Sequence, residues 1–142
     1  MSRTFLVKFL SLAAAATFVF AGADQALAGG DRIRLRCSAE GSQDISIDAK
    51  VEQRGNRLKF DASFEASAGL GFNAGQALTV IVGGVDVGQM ILSDIGDIVG
   101  DLDFDTNIER NDNDVPPPGD FPEVGTGTSV VVGPLGCALA NE

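Results

Sequence analysis

The sequence predicts an all-β protein, an antiparallel immunoglobulin-like β-sandwich of about seven or eight short strands, with a small β-barrel as the alternative. Three observations support this fold class: apolar and polar residues alternate with period 2, glycine-rich turns separate the alternating runs, and no stretch of the predicted domain shows a helical pattern. The predicted strands lie at 31–38, within 45–65, at 76–82, 85–92, 98–105 and 128–132, and 135–139 returns to the first strand.

The stretch 45–65 is the clearest element, and it predicts one β-hairpin. Apolar residues alternate with polar ones on both sides of Arg54-Gly55-Asn56, from Ile45 to Val51 and again from Leu58 to Phe64. A two-residue loop at Arg54-Gly55 or at Gly55-Asn56 places both apolar sets on one face. A slip by one residue would turn one set to water, so the register of this hairpin is well specified.

The other runs predict a sheet or sheets packed on that apolar face. Gly83-Gly84 predicts the turn of a second hairpin, 76–92, in which Gly88 is expected to form a bulge. In 98–105 the apolar positions alternate with outward Asp101, Asp103 and Asp105. A long polar loop, 106–127, precedes the last strands.

The first 28 residues predict a secretory signal peptide. Arg3 and Lys8 precede an apolar run at 9–20, and Ala26-Leu27-Ala28 has the small-residue pattern of a cleavage site. An uncleaved membrane anchor is the alternative, but the run is short for a membrane span; cleavage after Ala23 is a lesser one. We therefore expect an exported protein, periplasmic or extracellular, with one domain at 29–142 and no membrane contact after cleavage.

The predicted domain is strongly acidic. It holds 19 acidic and 8 basic residues, a formal charge of −11, so nucleic acid and anionic membranes are poor partners. Eleven acidic residues and one basic residue lie within 86–123, whereas 29–61 holds six acidic and seven basic residues. The charge is thus divided unevenly along the chain.

The two cysteines, Cys37 and Cys137, predict a disulfide bond, the default in an exported protein. A thiol nucleophile would need a base to form thiolate, and the chain contains no histidine. We therefore expect the cysteines to be structural.

The acidic stretch suggests a calcium site as one hypothesis. Its spacing, Asp-x-Asp-x-Asp-x-Asn, resembles that of oxygen ligands in calcium loops. The proposed ligands are Asp101, Asp103, Asp105, Asn107, Asp112 and Asp114. Alternate carboxylates lie about 6.6 Å apart along a strand, so a strand cannot gather three on one ion. The competing interpretation is a solvated acidic strand and loop.

Two further features predict partner binding. Arg32, Arg34 and Arg36 share one face of the first strand, either as an aggregation-resistant exposed edge or as partners of the alternating Asp101, Asp103 and Asp105, within one molecule or between molecules. In the loop 106–127, Phe121 is the expected hydrophobic anchor for a partner. The alternative is that Phe121 only fastens the loop to the sandwich.

These patterns favour a non-catalytic exported module with a structural, adhesive or protein-binding role, whose partner is another protein or a second copy. The alternative is a calcium-binding module in which the ion orders 101–114, and calcium is the one cofactor considered. A distant third is an enzyme that uses a carboxylate pair. The absence of His, Tyr and Trp from the chain argues against it.

Overall fold

The computed structural model describes residues 31–108 and 115–142, and every regular element in this part is a β-strand. The ten strands are β1 (Arg32–Glu40), β2 (Ile45–Arg54), β3 (Arg57–Ala66), β4 (Ala77–Val82), β5 (Val85–Ile91), β6 (Ser93–Asp94), β7 (Ile98–Asp105), β8 (Ser129–Val132), β9 (Leu135–Ala138) and β10 (Ala140–Asn141). Within this part of the chain no helix is long and apolar enough to cross a membrane. The predicted signal peptide lies outside the described residues.

The strands form two antiparallel sheets. The six-stranded sheet has the order β10-β1-β2-β3-β7-β6, and the four-stranded sheet has the order β5-β4-β8-β9. The sheets do not close on themselves, so the predicted all-β sandwich is confirmed and the small-barrel alternative is wrong. The immunoglobulin-like topology stays a prediction. The structure has more strands than expected because β6 and β10 contain two residues each, too few to leave an alternation pattern.

The predicted hairpin is confirmed as β2 and β3. Ile47 faces Phe64 and Val51 faces Phe60 across the pair, and all four side chains are buried, as the shared apolar face requires. Arg54 pairs with Arg57, so the loop is Gly55-Asn56, the second of the two expected positions. Gly55 has a φ of 57°, a conformation that favours glycine at the first position of a tight hairpin turn.

The second hairpin is β4 and β5, with the expected bulge. Val80 faces Gly88 whereas Ile81 faces Asp86, so Val87 is the extra residue. Gly88 has a φ of 148°, which a side chain would strain. The bulge therefore lies where the sequence predicts it.

The hydrophobic core lies between the sheets and is built by the inward residues of both. Phe60, Phe64 and Phe104 fill the side of the six-stranded sheet, and valines of β4 and β8 face them. Phe60 and Phe104 lie with ring centroids 6.1 Å apart. Burial of these side chains stabilises the fold by roughly 1.5–3 kcal/mol each.

The predicted disulfide bond between Cys37 and Cys137 is confirmed. Cys37 lies on β1 and Cys137 on β9, and their Cα atoms are 5.7 Å apart. Because β1 and β9 belong to different sheets, the bond joins the two layers of the sandwich. Such bonds are typical of exported proteins.

Candidate interaction surface

The outer face of the six-stranded sheet carries all the lysine and arginine residues of the described chain. We call the outward residues of β1, β2, β3 and β7 the charged face. Its seven cations are Arg32, Arg34, Arg36, Lys50, Arg54, Arg57 and Lys59. Its eight acidic residues are Glu40, Asp48, Glu52, Asp61, Glu65, Asp101, Asp103 and Asp105. With seven cations and eight anions, this face is close to neutral.

The strand register arranges these charges in rows that cross the sheet from β1 to β7. The central row is Arg36, Lys50, Asp61, Asp103. The row on its hairpin-turn side is Arg34, Glu52, Lys59, Asp105. The row on its other side is Ser38, Asp48, Ser63, Asp101. Cations therefore concentrate on β1 and anions on β7.

The arginines of β1 pair with acidic residues of β2. Arg32 donates to Glu52, and Arg36 donates from Nε and Nη2 to Asp48 at 3.0 and 2.8 Å. The Arg32 guanidinium holds the pKa of Glu52 below its usual range. Side chains of Arg32, Arg34 and Arg36 remain 43%, 49% and 48% exposed, so these pairs leave much of each cation at the surface.

The pairing of these arginines with Asp101, Asp103 and Asp105 does not occur within the described molecule. β2 and β3 separate β1 from β7 in the sheet. Instead, the arginines bind the nearer carboxylates of Asp48 and Glu52, which lie on the next strand in the sequence, β2. Any contact between the arginines and the β7 acidic residues must therefore form between molecules.

Asp105 is buried, although its position in the alternation predicts an outward, solvated carboxylate. Its side chain is 1% exposed and accepts two hydrogen bonds from Arg57, Nε to Oδ1 at 3.1 Å and Nη2 to Oδ2 at 2.6 Å. The backbone N–H of Asn107 also donates to Oδ1 at 2.8 Å. The Arg57 guanidinium, with help from Asn107, holds the pKa of Asp105 below its usual range despite the opposing effect of burial.

This ion pair, between a buried carboxylate and a half-exposed guanidinium, closes the end of the hairpin. Leu58 and Thr106 exchange hydrogen bonds, and the N–H of Asp105 donates to the carbonyl of Val115 at 3.0 Å. The sequence carries one local signal for this arrangement: Asp-Thr-Asn after a strand can form a turn in which the Asp side chain accepts from the second residue on. The partner Arg57, 48 residues away, has no such signal.

The proposed calcium ligands are not brought together among the residues that the structure describes. Asp101 and Asp103 are exposed on the charged face, whereas Asp105 is held by Arg57. Asp112 and Asp114 lie outside the described residues, and Asn107 is exposed. Across 31–108 and 115–142, no group of three or more His, Cys, Asp or Glu side chains is placed to hold a metal ion. The calcium hypothesis stays a prediction.

Phe121 packs against the core rather than standing free in solvent. Its ring centroid lies 5.5 Å from that of Phe60 and 6.0 Å from that of Phe104, both in edge-to-face geometry. The ring is half-buried and lines a shallow groove with Leu58, Pro117 and neighbouring residues. The contact fastens the loop to the sandwich, and its role in partner binding stays a prediction.

The outer face of the four-stranded sheet differs sharply from the charged face. Its outward residues are Ala77, Thr79, Ile81, Asp86, Gln89, Ile91, Ser129, Val131, Gly136 and Ala138. Asp86 is the one charged residue among them. We call this surface the four-stranded face.

Comparison with known proteins identifies no relative of this chain. No family model matches the chain, and neither a curated protein nor a solved structure matches it.

Proposed function

We propose that the chain is a non-catalytic exported module with a structural, adhesive or protein-binding role, and that the charged face is its binding surface. The observation that carries the proposal is the arrangement of Arg32, Arg34 and Arg36, each about half exposed along one strand. Half-exposed arginines favour recognition of carboxylates because the guanidinium offers several donors in a fixed plane. A rigid sheet holds these donors at a constant spacing.

The residue inventory supports a binding role over a catalytic one. The chain has no histidine to serve as general base, and both cysteines form the disulfide bond. The disulfide agrees with export. Periplasmic and extracellular locations serve the proposal equally well.

The test is site-specific photo-crosslinking in the native compartment. A photoreactive residue replaces Ser38, an exposed serine on the charged face, or Ser129, an exposed serine on the four-stranded face. We expect protein adducts from position 38 and not from position 129. The adducts should disappear when Arg32, Arg34 and Arg36 are all replaced by Gln.

The matched pair of positions makes the result decisive. Both serines lie on strands of the same rigid sandwich, so they differ mainly in the face they report. Adducts that form only at position 129, or that persist in the triple variant, would contradict the proposed surface.

A further inference from the structure

We infer that the partner of the charged face is the charged face of a second copy, related by a two-fold axis parallel to the strands between β2 and β3. This inference rests on the proposed function, because it names the partner of the same surface. It follows from the order of charges across the sheet.

The symmetry operation determines which strands meet. Rotation about an axis along the strands stacks the two sheets face to face and reverses the strand order of the second copy. β1 of each copy then lies over β7 of the other, and β2 lies over β3. Each row of side chains therefore meets the same row in reverse order, as in any two-fold interface.

The central row is complementary to its own reverse. Its residues, Arg36, Lys50, Asp61 and Asp103, read plus, plus, minus, minus. The reversed row reads minus, minus, plus, plus, so opposite charges meet at every position. Charge complementarity of this kind favours one orientation and suppresses others.

The row beginning at Arg34 has the same property. It reads plus, minus, plus, minus across Arg34, Glu52, Lys59 and Asp105, and its reverse again has the opposite sign at each position. Asp105 is buried against Arg57, so the exposed contribution of this row comes from the two contacts between Glu52 of one copy and Lys59 of the other.

On the other side of the central row, charged and neutral residues alternate. The rows there are Ser38, Asp48, Ser63, Asp101 and then Glu40, Ser46, Glu65, Val99. When reversed, each acidic residue in these rows meets a neutral one. In four of the five rows, therefore, no charged residue faces a residue of the same charge in the second copy.

The remaining row, at the hairpin turn, brings Arg54 over Arg57 of the second copy. It is an end row, and stacked sheets cross at about 30°, which separates the ends while the centre stays in contact. The Arg57 guanidinium is also bonded to Asp105. The like charges therefore lie where the contact is weakest.

The charge of the rest of the molecule directs self-association to this face. Outside the charged face, the described residues hold eight acidic side chains and no basic one. Contact through the edges and loops of the sandwich would bring these negative charges together. The four-stranded face carries one charge, Asp86, and so offers no opposite charges to pair, whereas the nearly neutral charged face presents opposite charges in a fixed order.

The area predicts a weak and salt-sensitive contact. Four strands about 4.8 Å apart and five rows about 6.7 Å apart cover roughly 600 Å² per copy. The total of about 1,200 Å² is at the low end of specific protein interfaces. We therefore expect association that depends on protein concentration and falls as salt screens the charges.

Sedimentation analysis of the purified chain tests the inference with two charge reversals. Arg36→Asp and Asp103→Arg each create like charges at two symmetric contacts, so each variant alone should self-associate at least about tenfold more weakly than the wild type. In an equimolar mixture, Asp at position 36 of one chain faces Arg at position 103 of the other. The mixture should recover association that neither variant shows by itself.

Controls separate this geometry from general charge effects and from misfolding. Asp120→Arg changes the net charge as Asp103→Arg does, but it lies in an exposed loop, so it should leave association unchanged. Thermal unfolding of each variant checks that it folds, and recovery in the mixture shows that both chains are competent.

The outcomes distinguish this inference from the proposed function. A wild-type chain that stays monomeric at low salt, or a mixture that does not recover association, overturns the two-fold contact. Association that strengthens with salt would indicate the four-stranded face and also overturns it. If crosslinks from position 38 then join the chain to a different protein, the proposed function stands without the self-contact. If position 38 gives no adducts either, both the two-fold contact and the proposed function are contradicted.

Discussion

The two outer faces of the sandwich cover the same core, yet the charged face carries fifteen charged residues and the four-stranded face carries one, Asp86. The long strands β2 and β3 have ten residues each, whereas β8 and β9 have four. A slip by two residues would keep the apolar face of a long hairpin buried, and opposite charges on its solvent side penalise such a slip. In the four-stranded sheet, the Gly88 bulge and the short loops fix the register without charged residues.

The two sheets also differ in how their edges discourage aggregation. Arginine and lysine along a sheet edge discourage random strand pairing, and β1 carries three arginines beside a two-residue edge strand, β10. One edge of the four-stranded sheet, β5, instead carries the glycine bulge. The charged face thus combines protection from aggregation with a specific pattern, and only the pattern supports recognition.

The largest expected effect comes from separating the two layers. Replacing both cysteines by Ala removes the bond between β1 and β9, which closes a separation of 100 residues. We expect a loss of about 4 kcal/mol in the free energy of unfolding, because the unfolded chain gains freedom. Thermal unfolding should show a drop of about 16 °C for a domain of this size. A drop below about 4 °C would mean that packing alone holds the layers together.

The second effect tests the ion pair between Arg57 and the buried Asp105 carboxylate. Arg57→Ala leaves the Asp105 carboxylate buried without its guanidinium, which should cost about 3 kcal/mol. Arg54→Ala is the matched control, because Arg54 faces Arg57 across the turn but is exposed, and its effect should stay within about 0.5 kcal/mol. Urea unfolding at neutral pH measures both. Equal effects would show that Asp105 is hydrated rather than dependent on Arg57.

The third effect follows from the lowered pKa of Asp105. A carboxyl group with a lower pKa in the folded state stabilises the fold fully above its unfolded pKa of about 3.9. That contribution is lost as the pH falls through the folded pKa. Asp105→Asn should therefore be less stable than the wild type by about 2 kcal/mol at pH 7, and the difference should shrink in acid. A difference that stays constant down to pH 2 would contradict the ion pair.

The same variant separates the ion pair from the calcium hypothesis. Because Arg57 holds Asp105, we expect Asp105→Asn to lose the same stability in EDTA and in millimolar calcium, with magnesium as the control ion. If calcium were the partner, wild-type stability would rise by about 2.7 kcal/mol at 100 times the dissociation constant. That is a rise of about 10 °C in Tm, which the variant would lack.

The sequence alone was sufficient to predict the features that depend on local alternation of apolar and polar residues. The hairpin predicted at 45–65, its buried face and the bulge at Gly88 each follow from alternation or from a glycine at the required position. The bond between Cys37 and Cys137 followed from the cysteine count, because two cysteines allow one pairing. These features need no knowledge of which distant strands become neighbours.

Strand order was not predictable in the same way, and the site depends on it. The spacing of Asp101, Asp103 and Asp105 matches that of Arg32, Arg34 and Arg36, but β7 lies beside β3 and not beside β1. Burial of Asp105 likewise requires Arg57 and the chain near Val115 to meet it. Alternation assigns a residue to a face of the sheet. Whether that residue is buried there depends on residues far away in the sequence that pack over it.

The smallest expected effect is on the four-stranded face, where Ile91 is 59% exposed. Ile91→Lys should change the free energy of unfolding by less than about 0.5 kcal/mol, because a lysine there stays in water. Ile47→Lys is the matched control on the buried side of the six-stranded sheet, where Ile47 is 2% exposed and an unpaired ammonium would prevent folding. Urea unfolding compares the two, and sedimentation of Ile91→Lys should match that of the wild type if association uses the charged face.

A loss above about 1 kcal/mol in Ile91→Lys, or a loss of association, would mean that the four-stranded face is covered in the native protein. The contrast between the two faces would then reflect two binding surfaces rather than one.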